Sequence, residues 1–301
     1  MSANQKHHRA ILQSIAQRAM VEHGLLPDLP AEALAELDKI LAPATANGES
    51  VRDLRTLLWV SIDNDDSLDL DQLTIAEAMP GGQVKIRVAV ADVDALIKDG
   101  SAIDEYARHN TTSVYTAARI FSMLPEKLST NFTSLNPGEE RLAVVVETVV
   151  GIDGTLQGSD IYRARVLNHA KLSYDSVAAW LEGHGAAPEP IAAAQGLGKS
   201  LRLQDEAAQR LRNLRYVNGA LRLETLEARP VFAGDEIRGL EVQRKNRATD
   251  VIEDFMIAAN GVTARFLAAK TFPSIRRVVR TPKRWERIVE IAQEYGFKLP
   301  G

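Results

Sequence analysis

Leu57 to Val90 reads LLWVSIDNDDSLDLDQLTIAEAMPGGQVKIRVAV. Three runs within it, Leu57–Ile62, Leu73–Ala78 and Val84–Val90, have the length and the apolar, β-branched content of strands. Gly81-Gly82 separates the last two, and a glycine pair in that position marks a hairpin. Between the first two runs lies Asp63–Asp71, DNDDSLDLD, with five aspartates and no base. Asp69 and Asp71 are two apart, so in extended chain they point to one side. Asp63, closing the preceding strand, is placed to fold back toward them. Crowded carboxylates repel unless a cation neutralises them, and hard Mg²⁺ or Mn²⁺ prefers such oxygen ligands. In phosphoryl-transfer chemistry paired ions of this kind activate water and stabilise a leaving oxygen. An acidic surface turn accounts for the same residues, and on the cluster alone both readings stand.

More hairpins follow along the chain. Leu142–Val150 and Leu156–Val166 flank a turn at Asp153-Gly154, and a further turn is expected at Gly234-Asp235. Helices are expected over residues 7–22, 31–41, 174–183, 200–216, 248–270 and 282–295, from apolar residues at helical spacing and from prolines at the boundaries. Residues 184–199, with Pro188, Pro190, Gly196 and Gly198, read as a loop. Hairpins interspersed with helices argue for an α+β fold with a mixed, mainly antiparallel sheet and packed helices, not for repeated parallel βαβ units. Pro43–Ser50 is a loop, so residues 1–50 form a helical N-terminal segment and residues 51–301 the main domain.

Composition narrows the possibilities. The chain has 301 residues, 45% hydrophobic and 25% charged, which excludes a disordered or collagen-like chain. No apolar run reaches a membrane-spanning length, and the first residues lack the pattern of a secretory signal. The absence of cysteine removes disulfides, thiolate metal sites and thiol nucleophiles, and agrees with a reducing cytoplasm as the expected location. With 36 basic and 40 acidic residues the net charge is −4, which does not advertise a polyanion partner. The charge is uneven, however: Arg276–Arg287 carries six bases and one acid. A calcium-binding helix–loop–helix fails on spacing, because Leu68 stands where glycine is required and Thr74 where glutamate is required. Gly196-Leu-Gly198-Lys199-Ser200 ends like a phosphate-binding loop but has Ala193 at its first glycine position. The six histidines show no metal-binding spacing, and no Gly-x-Ser-x-Gly elbow occurs.

Ser61-Ile62-Asp63…Asp69-Leu70-Asp71 resembles the opening motif of the RNB catalytic domain of ribonuclease II, ribonuclease R and the hydrolytic exosome subunit. Further segments follow in that family's order. They are Ala91-Asp92-Val93, Gly100-Ser101-Ala-Ile-Asp104, Thr112-Ser113-Val114-Tyr115, Met123-Leu124-Pro125-Glu126-Lys127-Leu128-Ser129 and Ser134-Leu135-Asn136-Pro137-Gly138 with Arg141-Leu142-Ala143. Ala170-Lys171-Leu172-Ser173-Tyr174 and Ile252-Glu253-Asp254-Phe255-Met256-Ile257-Ala258-Ala259-Asn260 complete the set, so the resemblance runs from about Val51 to Tyr295. It implies an Mg²⁺-dependent 3′→5′ exoribonuclease that hydrolyses single-stranded RNA to nucleoside 5′-monophosphates, with Mn²⁺ as an alternative ion. It further implies that Asp63, Asp69 and Asp71 hold metal, that Asp71 is also the catalytic aspartate, and that Tyr115 packs against the 3′-terminal nucleotide. Tyr174 and Glu253 are implied to contact the ribose and select RNA over DNA.

The sequence departs from the family pattern in two respects. Gln72 stands where a fourth aspartate is usual, and a neutral carbonyl is a weaker ligand for Mg²⁺; Asp65 or Asp66 is the candidate to compensate. The family's catalytic domain also continues past the last expected helix, through an arginine-bearing motif, so the chain is read as the N-terminal part of that domain, with low activity by itself. The alternative reading is a catalytically weak or inactive RNA-binding or regulatory protein that keeps the RNB fold.

Overall fold

The computed structural model describes residues 8–46, 50–220, 227–276 and 282–299. Part of the basic block Arg276–Arg287 lies outside the described residues. Two helices, α1 (His8–Glu22) and α2 (Ala31–Leu37), precede the sheet. Strands β1 (Arg52–Asp53), β2 (Trp59–Asp63), β3 (Gln72–Ala78) and β4 (Val84–Ala91) follow, then α3 (Ala102–Asn110) and a small hairpin of β5 (Val114–Tyr115) and β6 (Ile120–Phe121). The chain continues through β7 (Glu140–Val150), β8 (Leu156–Ser173), α4 (Tyr174–Leu181), α5 (Glu189–Ala193) and α6 (Leu197–Val217). A second hairpin, β9 (Glu227–Ala233) and β10 (Glu236–Gln243), leads into α7 (Arg247–Ala269) and α8 (Trp285–Glu294). This is the α+β architecture expected from the sequence, with antiparallel pairing everywhere in the main sheet except where β8 meets β1 and β2.

The main sheet closes on itself. β2 pairs with β3, β3 with β4, β4 with β7, and β7 with the first part of β8; the last part of β8 then returns to β2. One face of this ring buries Trp59, Leu73, Ile75, Ala89, Val145 and Val166 against one another. The alternate positions, including Ala76, Ile86, Val88 and Val146, pack on α6 and α7 through Ala207, Leu211, Val251 and Phe255. Strands covered on both faces need apolar side chains at nearly every position. That is why Trp59-Val60 and Leu73–Ala76 are buried throughout, with Thr74 the one polar side chain among them. The tight turn between β7 and β8 requires Gly154: its φ is +84°, and a Cβ there would lie 2.3 Å from the Arg210 carbonyl oxygen of α6.

Polar side chains fix how the helices sit. Gln204, fully buried on α6, accepts from Thr74 Oγ1 at 2.8 Å, and Ser200 Oγ accepts from the Ala76 backbone N–H at 3.2 Å. Asp254 on α7, 1% exposed, accepts from Arg212 Nη2 at 2.7 Å and from Arg215, both on α6. Arg247 donates twice to Asp205, at 2.8 and 2.7 Å. The N-terminal helical segment packs on the remainder: Ala33 of α2 is buried with Ile97, Ile103 and Leu128. Glu36 Oε2 also caps α3, accepting from the backbone N–H groups of Ala102 and Ile103 at 2.7 and 3.3 Å.

Several sequence expectations need correction. α2 ends at Leu37, four residues before Leu41, and the expected loop at Pro188–Gly198 holds the short helix α5 and the first turn of α6. α3 was not foreseen. Its start is set by Ser101, whose Oγ accepts from the Asp104 N–H at 3.3 Å, and by Glu36 from a distant element, which no local pattern reveals. β8 runs to Ser173, well past Val166, because its last six residues find a second partner in β2.

Candidate active site

β2 delivers Asp63 to the end of the ring and β3 begins at Gln72, so the acidic loop spans the gap between two adjacent strands. The loop is anchored from beneath. Leu70 is buried; its N–H donates to Ser134 Oγ at 3.0 Å and its carbonyl accepts from the Leu135 N–H at 2.8 Å. Ser134 Oγ also donates to the Leu68 carbonyl, and the Asp71 carbonyl accepts from the Ala91 N–H. Lys171 of β8 donates to the backbone carbonyls of Asp65 at 3.0 Å and Ser67 at 2.7 Å, placing a cation under the loop. With Leu70 turned into the core, its neighbours Asp69 and Asp71 are left on the open side.

Each carboxylate has its own electrostatic setting. Asp63 Oδ1 accepts from the Asn64 N–H at 2.6 Å and from Ser67 Oγ at 2.7 Å. Asp69 Oδ2 accepts from Tyr115 Oη at 2.9 Å. Asp71 opens to solvent yet has protein atoms around most of it, as in an open pit. Loss of surrounding water, then the charge of Asp63 and, more weakly, that of Asp69, pushes its carboxyl up to about 6. Tyr115 exposes most of its ring while enclosing its hydroxyl end. That enclosure, the bond to Asp69 and the charges of Asp69, Asp71 and Asp63 push the hydroxyl up to about 12. Tyr174, the first residue of α4, is half-buried, and burial followed by the charges of Asp63 and Asp71 raises its hydroxyl well above the ordinary tyrosine range.

The loop stands between two hollows. A cleft of about 760 Å³ is lined by Asn64, Asp66, Asp69, Tyr115, Arg119 and Thr130. On the other side a hollow of about 550 Å³ is lined by Asn64, Asp65, Asp66, Tyr174 and Asp175. The structure thus gathers Asp63, Asp69, Asp71, Tyr115 and Tyr174 at one end of the ring. Asp65 and Asp66 are exposed, Asp66 lining both hollows and Asp65 the smaller one. Gln72 is buried at the first position of β3; by strand alternation it shares a face with Thr74 and Ala76, which meet α6. Glu253 lies on the exposed side of α7, where Lys245 Nζ donates to it at 2.6 Å.

Among the described residues no three acidic or histidine side chains form a ready-made metal-binding group. Asp63 and Asp69 spend an oxygen on a local donor instead. The chemistry of the donor set nevertheless fits a hard divalent cation: the carboxylates are near enough for two of them to raise the third, and all their ligand atoms are oxygen. Sequence reasoning missed the supporting residues Ser134, Asn168 and Lys171. Two of them stand inside motifs already quoted, and Lys171 carried a local signal, a charged residue between the apolar Ala170 and Leu172, which a strand among apolar neighbours tolerates when the polar group has a partner. Asn168 has two, donating to Ser61 Oγ at 3.0 Å and to the Leu135 carbonyl at 2.8 Å.

A closed mixed sheet backed by helices is the fold that comparison with known proteins recovers. Residues 51–297 match the RNB domain model, and the chain belongs to the RNB-domain family. It is 34% identical over 253 residues to ribonuclease R of Escherichia coli strain K12, covering 83% of this chain and 31% of that protein. It is 32% identical over 289 residues to ribonuclease R of Vibrio cholerae, covering 95% of this chain and 35% of that one. The chain therefore spans about a third of the length of these relatives. The structure of Mycoplasma genitalium RNase R in complex with ribose-methylated single-stranded RNA superposes with a TM-score of 0.83 over 96% of this chain and 45% of that one, at 24% identity. Yeast Ssd1, described as a pseudonuclease, shares the fold more distantly, with a TM-score of 0.65 over 87% of this chain and 32% of that one, at 16% identity. No described helix is long and apolar enough to cross a membrane.

Proposed function

We propose that this chain carries the acidic half of the active site of a divalent-metal-dependent 3′→5′ exoribonuclease, which hydrolyses single-stranded RNA to nucleoside 5′-monophosphates. The observation that carries this reading is the convergence of Asp63, Asp69 and Asp71 in one pit, where loss of water and then the neighbouring charges raise Asp71 to about 6, beside an exposed tyrosine whose hydroxyl donates to Asp69. Mg²⁺ or Mn²⁺, held by Asp63, Asp69 and Asp71, would neutralise charge and act as a Lewis acid at the scissile phosphate. Asp71 would also help to hold and orient the attacking water from within the same set of carboxylates. Tyr115 offers its ring face to the terminal base, a grip that tolerates any sequence. Tyr174 and Glu253 would contact the ribose from the opposite side of the loop.

The test is release of mononucleotides from 5′-labelled single-stranded RNA in the presence of Mg²⁺ and in EDTA. Stepwise shortening from the 3′ end that needs the metal and disappears in Asp71→Asn supports the proposal. RNA binding with no release from the wild type would instead favour a binding protein. Gln72 in place of the usual fourth aspartate is the observation that keeps that reading in view.

A further inference from the structure

Asn246 is the N-cap of α7, and its side chain makes more bonds than a cap requires. Its Oδ1 accepts from the backbone N–H groups of Ala248 at 3.1 Å and Thr249 at 3.0 Å, while the Asn246 N–H donates to Thr249 Oγ1 at 2.8 Å. A cap needs only the oxygen. The amide nitrogen is given to another element: Nδ2 donates to Asp175 Oδ1 at 3.0 Å. Asp175 is exposed in the first turn of α4 and follows Tyr174 directly. One side chain therefore ties the start of the helix carrying Glu253 to the start of the helix carrying Tyr174.

The surroundings give this tie a consequence. Tyr174 packs on the cluster that includes Ala248 and Ile252 of α7, and Glu253 is the next residue after Ile252. Tyr174 and Asp175 together line the hollow beside the acidic loop. Asp175 is solvent-accessible, so no buried group depends on the bond for satisfaction, and an exposed hydrogen bond contributes little to stability. Its effect is on spacing, and spacing at a reacting site is costly to disturb, with a displacement of ~1 Å able to cost ~100-fold.

We propose that the Asn246–Asp175 bond is a positioning clamp that sets the distance between Tyr174 and Glu253 and so the chain's preference for ribose over deoxyribose. This inference rests on the ribose-contact reading of those two residues given above. Asn246 and Asp175 are positioning residues within it, since neither is placed on the sugar.

The experiment compares affinities for an oligoriboadenylate and the matching oligodeoxyadenylate by fluorescence anisotropy in EDTA, where cleavage is suppressed. Asn246→Asp keeps a good N-cap but faces Asp175 with a second carboxylate; the RNA-to-DNA affinity ratio is expected to fall about tenfold. Asp175→Asn retains an acceptor for the Asn246 amide and is expected to leave the ratio near that of the wild type. Combining the two substitutions exchanges donor and acceptor and should restore the ratio. An unchanged ratio in Asn246→Asp, or no recovery in the combined variant, overturns the clamp. Should Asn246→Asp lose its helical circular dichroism, Asp175→Ala removes the bond while sparing the α7 cap, and a retained ratio there overturns it equally. A wild type that binds both oligomers equally sinks the clamp and leaves the hydrolytic proposal intact. A wild type that discriminates but never cleaves sinks the hydrolytic proposal, and the variants still decide the clamp.

Discussion

Asp71 concentrates the electrostatics of the pit in one titration. Its folded-state pKa of about 6 lies above the ordinary 3.8 because burial and the charges of Asp63 and Asp69 disfavour ionisation. Below pH 3.8 the group is protonated in both folded and unfolded chains. As pH rises toward 6 the unfolded chain releases this proton first, so folding stability falls across that window and is constant above it. The full shift would amount to ~3 kcal/mol, and solvent on the open side of the pit reduces it to on the order of 1 kcal/mol. In EDTA, Asp71→Asn should therefore match the wild type near pH 4 and exceed its stability near pH 7, as read by urea midpoints; parallel profiles would contradict the assignment. Tyr115 separates two roles within one side chain. Tyr115→Phe removes the donor to Asp69 but keeps the ring, whereas Tyr115→Ala removes both. Loss of a stacked base costs ~1–3 kcal/mol, so Tyr115→Ala should weaken RNA binding by roughly 5- to 150-fold in anisotropy titrations, with Tyr115→Phe close to the wild type.

At the scale of elements, the pair α6 and α7 determines where the site's outer wall stands. Asp254 is 1% exposed and meets both Arg212 and Arg215; burial pushes its carboxyl up and the two guanidiniums oppose that. Replacing Asp254 removes the charge that both arginines meet while Arg212 keeps its ion pair with Asp250, a loss of roughly 1–3 kcal/mol. Asp254→Asn should thus lower the urea midpoint far more than the neighbouring Glu253→Gln, because Glu253 is exposed and bonded only at the surface to a lysine. The contrast also marks how far the sequence could be read. Strands β2, β3, β4 and β7 were legible as apolar runs between turn residues, and the long helices α6 and α7 by their helical period. The loop's aspartates and the two tyrosines were legible because local motifs hold them. Closure of the ring was not, since β8 meets its second partner, β2, through residues 168–173, beyond the stretch that pairs with β7. Nor was α3, whose N-terminus is capped by Glu36 from a helix 66 residues earlier. Long-range pairing is the physical content that a local pattern lacks, and Ser134, Lys171 and Asn246 act through it.

For the whole molecule the controlling quantity is the field around the acidic pit. A net charge of −4 and three clustered aspartates repel a polyanion. An RNA strand approaching Tyr115 must therefore come close to negative charge, which exposed arginines elsewhere on the surface offset only in part. Ordinary protein–RNA binding weakens as salt is added, because cations on the phosphates are displaced on association. The pit predicts the opposite sign for one class of salt. With ionic strength fixed, adding Mg²⁺ should strengthen binding of an oligoribonucleotide whose 3′-terminal linkages are phosphorothioates, by about tenfold if ~1.4 kcal/mol of repulsion is relieved. Asp71→Asn should bind that RNA more tightly than the wild type in EDTA, having one repulsive charge fewer, and should gain less from Mg²⁺. Anisotropy titrations in KCl, with and without Mg²⁺, measure both effects. An Mg²⁺ response equal to that of KCl at matched ionic strength, in wild type and variant alike, would mean that the aspartates form a solvated surface turn and that the RNA binds elsewhere.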